Sequence, residues 1–336
     1  MAGMKKFIVI TSIFNPTKAV VDFAAKEGYI LVVAGDKKSP AGWKCDNVVY
    51  LDVDQQIALG THTGSQLPFN HYCRKLIGYL YAIKNGAEVI IDTDDDNLPY
   101  ENWDFPPFNG TFDTSAKDKG FINIYRNFSD QHIWPRGLPL NKILDPTAAI
   151  AEGEMVKSDN KIGVWQGLAD GDPDVDAIYR LVSNTECTFK KRSPIVLDEG
   201  TLCPYNSQNT ATIKEFFPLL YLPAFVTFRF TDILRGLVAQ PILWAKGYRL
   251  GFTEATVFQE RNPHNYMRDF ESEVPMFLHT DRTIDVAVKN SSSAESVSGN
   301  LFNIYKGLLD VGIVEDREVS LLELWLRDVE DYSKNG

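Results

Sequence analysis

Glu88-Val89-Ile90-Ile91-Asp92-Thr93-Asp94-Asp95-Asp96-Asn97 carries a short apolar strand straight into a run of carboxylates. Carboxylates this close repel one another, and each raises its neighbours' pKa unless a cation or backbone N–H groups compensate it. Side chains alternate along an extended segment, which predicts Asp92, Asp94 and Asp96 on one face and Asp95 on the other. Hard oxygen ligands at alternate positions suit Mg²⁺ or Mn²⁺, which leave coordination positions for water and substrate phosphates. A calcium loop is disfavoured, because the sixth and twelfth positions counted from Asp92 hold Asn97 and Trp103 instead of Gly and Glu. A solvated acidic turn is the plainer alternative.

The hundred residues around this segment alternate strand and helix. Residues 7–13 form a continuous apolar run, 17–26 carry Val20, Val21, Phe23 and Ala24 at helical spacing, and 29–34 form a second apolar run ending at Gly35-Asp36. A third short strand is predicted at 47–51. A helix over 70–84 places Tyr72, Leu76, Tyr79, Leu80 and Ile83 on one stripe before Asn85-Gly86 ends it. Strands alternating with helices predict an α/β fold with a mostly parallel, Rossmann-like sheet, which binds ligands beyond the carboxyl ends of its strands. Asp36 and Asp92–Asp96 lie at those ends. Arg74 and Lys75 begin the helix facing the aspartates, where a cation could neutralise a diphosphate.

Composition narrows the function classes. The chain has 336 residues, 44% hydrophobic and 24% charged, which indicates a folded protein. Its net charge of −11 argues against a general nucleic-acid surface. Cys45, Cys73, Cys187 and Cys203 show no metal or disulfide spacing, so a reducing, cytoplasmic setting is expected. Lys5 and Lys6 before an apolar run resemble a signal peptide, but the run stops at Asn15-Pro16 and reads as a first strand. No stretch approaches the roughly 20 apolar residues of a membrane span.

From 99 to 146 the chain turns irregular, with a strand expected at 121–125. Another strand is expected at 163–166 and a helix at 177–182; between them, Asp170, Asp172, Asp174 and Asp176 could contact sugar hydroxyls, although Asp-Gly-Asp-Pro-Asp is also dense with turn formers. Thr231-Asp232 opens a helix through Trp244. Residues 290–299 read as a linker, which divides the chain into a domain over 1–289 and a small helical extension over 300–336. The two amphipathic helices there suggest a cap or a homo-oligomer contact.

Several strings go further. Val33-Ala-Gly35-Asp36-Lys-Lys-Ser-Pro40, Leu67-Pro-Phe-Asn-His-Tyr-Cys-Arg74-Lys75, Asp92-Thr-Asp94-Asp95-Asp96-Asn97, Gln166-Gly167-Leu-Ala-Asp170-Gly-Asp172-Pro-Asp174-Val-Asp176 and Arg229-Phe-Thr-Asp232-Ile-Leu-Arg235-Gly236 resemble the glycosyltransferase-like domain of the plant STELLO proteins. The likeness runs in order from about residue 5 to about residue 275. A departure from those proteins is expected at both ends, without their N-terminal membrane anchor and with a helical region of its own. The triple aspartate is also similar to that of UDP-arabinopyranose mutases.

The resemblance implies a GT-A fold and a metal-dependent glycosyltransferase that moves a sugar from a UDP- or GDP-sugar donor to a glycan or other hydroxyl acceptor. It implies that Thr11, Ser12 and Phe14 seat base and ribose, that Asp36 meets the base edge, and that Asp92 takes the ribose or a metal-bound water. Asp94 and Asp96 would hold Mn²⁺ or Mg²⁺, with His264 as a further ligand. Gly167, Asp174 and Asp176 would contact donor or acceptor sugar. Asp232 would take the acceptor's proton, although a helix start needs the same residue for capping. A nucleotide-sugar mutase, which would need a glycosylated arginine, and a non-catalytic nucleotide-sugar-binding protein are the alternatives.

Overall fold

The computed structural model describes residues 4–260 and 265–335. In chain order the strands are β1 Lys6–Thr11, β2 Tyr29–Ala34, β3 Val48–Leu51, β4 Val89–Asp92, β5 Asn97–Pro99, β6 Asn109–Thr114, β7 Gly120–Phe121, β8 Val156–Gly171, β9 Ile195–Leu197, β10 Thr201–Leu202, β11 Thr210–Ile213 and β12 Arg249–Gln259. The helices are α1 Lys18–Ala24, α2 Val53–Ala58, α3 His62–Gln66, α4 Lys75–Lys84, α5 Tyr125–Phe128, α6 Ala177–Val182, α7 Thr231–Ala245, α8 Tyr266–Lys289, α9 Val297–Asp310 and α10 Asp316–Asn335.

Among the described residues, ten strands join in one sheet in the order β3-β2-β1-β4-β11-β8-β6-β9-β12-β5. β3, β2, β1 and β4 run parallel. Beyond them the sheet is mixed: β11 lies antiparallel to both β4 and β8, while β8 and β12 run parallel. This is an α/β architecture of GT-A-like plan. The strand expected at 121–125 is cut short, because after the two-residue β7 the chain turns into α5.

Two packing details set up the site. Phe7–Ile10 are at most 1% exposed, as expected for a parallel strand covered on both faces. Against them lies α4, and a Cβ at Gly78 would come 2.5 Å from Val9 Cγ1, so only glycine lets this helix approach so closely. The start of α4 is thereby pressed beneath the end of β4.

The segment 290–299 is a capped turn followed by the first turn of α9. Ser292 and Asn300 exchange two hydrogen bonds, and the Ser296 hydroxyl accepts from Gly299 N. Leu301, Ile304, Tyr305, Leu308, Leu322 and Trp325 of α9 and α10 are buried within this chain, as expected of a cap. Two buried carboxylates of α10 bind the first half of the site's framework and the loop before α7. Asp328 accepts from His62 N, Thr63 N and the Thr63 hydroxyl, and Glu318 accepts from Ala224 N, Phe225 N and the Tyr221 hydroxyl. Among the described residues, no helix is long and apolar enough to cross a membrane.

Candidate active site

At the end of β4 the chain does not stay extended. It turns at Asp95-Asp96 before β5 begins at Asn97, with Asn97 N donating to Asp94 O. The predicted alternation therefore fails: Asp94, Asp95 and Asp96 all line one cavity of about 280 Å³, and Asp92 points into the interior. Asp92 is fully buried, with Lys75 Nζ 2.8 Å from its Oδ1 and Arg235 Nη1 2.7 Å from its Oδ2. An ion-paired interior carboxylate leaves no room for the ribose contact expected of Asp92. Lys75, also fully buried, reaches Asp94 Oδ1 and Thr93 O at 2.8 Å each. Burial opposes its charge, but Asp92 and Asp94 overcome this and raise the ammonium above its usual range.

The opposite wall is built by α7 and two loops. Asp232, in the first turn of α7, meets Arg136 in a two-pronged pair at 3.0 and 2.9 Å. It also accepts from Ser207 N, the Ser207 hydroxyl and Ile233 N. Burial alone would raise this carboxyl; Arg136, with Arg235 and Arg229, reverses the effect and holds it well below the ordinary carboxylate range. Arg136 binds Asp174 in the same forked manner at 2.8 Å, and Asn206 Nδ2 adds a further bond to Asp174. Arg229 also lines the cavity, bonded to Glu273 at 2.9 Å.

A second cleft of about 230 Å³ opens at the ends of β1 and β2 and shares Thr11, Tyr72, Asp95 and Phe228 with the first. Ser12 and Phe14 line it, the Ser12 hydroxyl donating to Asp95 Oδ2 at 2.5 Å, while the Phe14 ring is 48% exposed. Asp36 sits at its floor, accepting from Lys37 N and His71 N. His71 Nδ1 accepts from Cys73 N, and burial, against the pull of Asp36, lowers its pKa, so the ring is neutral with its proton on Nε2. Phe228 stands at the shared edge, edge-on to Tyr72 with ring centroids 4.8 Å apart. Arg74 borders this cleft but is turned toward Gln56, which it binds at 3.0 and 2.6 Å, so it does not join Lys75 at the aspartates.

The remaining expectations scatter. Gly167 is inside the sheet, where a Cβ would strike Asn209 Nδ2. Asp176 caps α6 and accepts from Trp134 Nε1 at 2.7 Å, a structural placement away from both cavities; burial pushes its pKa up to about 6. Of the acidic loop, Asp174 alone reaches the cavity lining. His264 lies outside the described residues. Sequence reading did not single out Arg136, Ser207, Gln208, Phe228 or Gln259, all of which line the charged cavity.

The cavity's donor set suits a Mg²⁺- or Mn²⁺-type ion better than a closed protein cage. Among the described residues, no three His, Cys, Asp or Glu side chains converge on a common point. Asp94, Asp95 and Asp96 face the cavity, with one oxygen of Asp94 held by Lys75 and one of Asp95 by the Ser12 hydroxyl, and such ions commonly take one or two carboxylates and complete their shell with water and phosphate oxygens. Burial, with the charges of Asp94 and Asp95, pushes the Asp96 carboxyl up to about 7.

Comparison with known proteins places this geometry in context. Residues 229–334 match the family model of the STELLO glycosyltransferases. The chain is 25% identical over 344 residues to "Probable glycosyltransferase STELLO2" and 25% identical over 348 residues to "Probable glycosyltransferase STELLO1", both from Arabidopsis thaliana. Each alignment covers 97% of this chain and 44% of the relative, so the chain spans under half the length of these curated relatives. Together the matches support a STELLO-like assignment. The matched region includes α9 and α10, which corrects the expectation that the helical end is peculiar to this chain.

Proposed function

We propose that this STELLO-like chain is a metal-dependent glycosyltransferase that binds a UDP- or GDP-sugar across its two joined cavities and passes the sugar to a hydroxyl acceptor. One observation carries the reading. A cleft with aromatic walls and the polar floor of Asp36 and His71 opens directly into an acidic cavity at the carboxyl ends of parallel strands. The base and ribose fit the cleft beside Ser12, Phe14 and Asp36. The diphosphate would lie at Asp94 and Asp96, which would hold Mn²⁺ or Mg²⁺. A bound ion supplies neutralisation of the charge that builds on the departing nucleoside diphosphate.

The sugar would then face Asp174, Asp232, Arg136 and Arg229. Asp232 is the candidate base: it takes the acceptor hydroxyl's proton as the new oxygen–carbon bond forms and the bond to the diphosphate breaks. Held ionised by its donors, it is proton-free at neutral pH but weakly basic, which suits a transfer in which the proton leaves late, once the attacking oxygen has become acidic. Arg136 does not suit the glycosylated arginine of a mutase, since its guanidinium is fully engaged by Asp174, Asp232 and Arg229 O. Incubation with UDP- and GDP-sugars and Mn²⁺, with and without glycan acceptors, tests the proposal. Ring-isomerised nucleotide sugar formed without any acceptor would turn it toward the mutase.

A further inference from the structure

We infer that the cavity between α5 and the loop entering β9 is a second ligand site, one that takes a phosphate monoester through Arg126, Lys191 and Arg192. None of its lining residues borders either cavity of the candidate active site, so it stands apart from the glycosyltransferase reading.

The cavity measures about 540 Å³ and is lined by Arg126, Lys190, Lys191 and Arg192, with Ile150 and Met155 supplying apolar surface. Such a gathering of cations runs against a chain whose net charge is −11. Like charges this close repel one another unless anions compensate them. Lys190 has Asp130 at 2.5 Å, and Asp113, which also lines the cavity, is taken by Lys157 at 2.9 Å. Glu254 meets Arg192 at its backbone N–H, not at the guanidinium. Among the described residues, Arg126, Lys191 and Arg192 have no ion-pair partner.

The two arginines are held in place without being neutralised. Arg126 donates to Asp145 O at 2.6 Å and to Ile143 O at 2.7 Å. Arg192 donates to Asn127 O at 2.7 Å, reaches Met155 Sδ at 3.8 Å and lies over the Phe128 ring, 5.5 Å from its centroid. A carbonyl or a ring fixes a guanidinium but brings no counter-charge, and a guanidinium has N–H donors to spare after two bonds. Both residues are partly buried, so solvent and salt screen them less than they screen a free surface arginine. Guanidiniums fixed in this way match phosphate oxygens in two-pronged fashion. Three positive charges favour a dianion over a single carboxylate, and the volume leaves room for an organic group beyond the phosphate.

Calorimetry on chelator-treated protein at low ionic strength tests the site, with inorganic phosphate, acetate, a poly-glutamate peptide, and phosphatidylcholine vesicles with and without phosphatidic acid. In ion-free protein the aspartate turn repels anions, and Lys191→Gln and Arg192→Gln assign any binding to this cavity. Lys191 is exposed, so its variant keeps the fold even if the Arg192 variant does not. The wild type should bind phosphate at least about tenfold more tightly than acetate, and each substitution should weaken that binding about tenfold, the worth of one charge-assisted bond. Tighter binding to the phosphatidic acid vesicles than to free phosphate, lost with Lys191→Gln, identifies a lipid headgroup as the source; binding to free phosphate alone identifies a soluble ester. Phosphate bound no better than acetate, or equally well by Lys191→Gln, overturns the assignment. Tighter binding of the poly-glutamate peptide than of any phosphate overturns it in favour of an acidic protein partner.

Discussion

Arg136 and Asp232 form a buried two-pronged ion pair, Nη1 to Oδ1 at 3.0 Å and Nη2 to Oδ2 at 2.9 Å, and the same guanidinium grips Asp174 from its other edge. One side chain thereby fixes the loop after β8 against the start of α7. The cavity wall opposite the aspartate turn owes its shape to that grip.

Arg136→Met should leave Asp174 and Asp232 buried without their shared cation, and breaking such a pair costs about 3–5 kcal/mol. The loss should depend on pH. Asp232 is held below its unfolded pKa, so its contribution is present above the ordinary carboxylate range and fades as pH falls toward the folded value. In the variant the two carboxyls, buried without that cation, take up protons more readily as pH falls, so thermal melts at pH 7.5 and pH 4 should show a wider gap between variant and wild type at the higher pH. An equal gap would mean that the arginine acts through packing alone.

Asp232→Asn keeps the shape of the side chain and removes the proposed base. Ion and nucleotide affinity should stay within about threefold, while kcat falls by roughly 10²-fold or more. Steady-state kinetics and product analysis check this together. Near-normal turnover, or retention of anomeric configuration, would reduce Asp232 to a partner of Arg136.

Asp92 and Asp96 stand four positions apart and should behave in opposite ways. Asp92→Asn leaves Lys75 and Arg235 buried with one acceptor fewer and should cost about 3–5 kcal/mol in denaturant melts. Asp96→Asn relieves crowding among like charges, so in chelator-treated protein its stability should equal or slightly exceed that of the wild type. A destabilised Asp96→Asn paired with a stable Asp92→Asn would reverse the placement of the two residues.

Glu318→Ala on α10 removes the acceptor for Ala224 N, Phe225 N and the Tyr221 hydroxyl. Leaving buried donors unpaired costs about 1–3 kcal/mol for each group, so the melting temperature should drop by many degrees. An unchanged melt would show that the C-terminal helices contribute little to the core.

The first half of the sheet could be read directly from the chain because its central strands, β1 and β4, are buried on both faces and show as short continuous apolar runs. The run at 29–34 and the helix at 177–182 have the bounds expected of them, while the run at 121–125 lost its strand to the turn into α5. β12 and α8 escaped notice for physical reasons. β12 shifts register near Thr253 and Ala255, which breaks its alternation, and α8 contains Pro275 and buries Glu273, Thr280 and Thr283, which hides its apolar stripe. The acidic turn was visible as a cluster, but its geometry was not, since the fate of Asp92 depends on Lys75 and Arg235 arriving from two helices. Arg136 gave no local signal at all. It lies between Pro135 and Gly137 in an irregular stretch, and its partners are 38 and 96 residues away.

Ion-dependent nucleotide binding at the aspartate turn is the property on which the proposed transfer depends most directly. Calorimetry with UDP and GDP, with and without Mn²⁺, on the wild type and on the Asp94→Asn/Asp96→Asn double variant measures it. One of the two nucleotides should bind the wild type only when Mn²⁺ is present, and the double variant should lose that binding while retaining its fold. Nucleotide binding that ignores both the ion and the substitutions, or no binding to the wild type at all, would contradict the account.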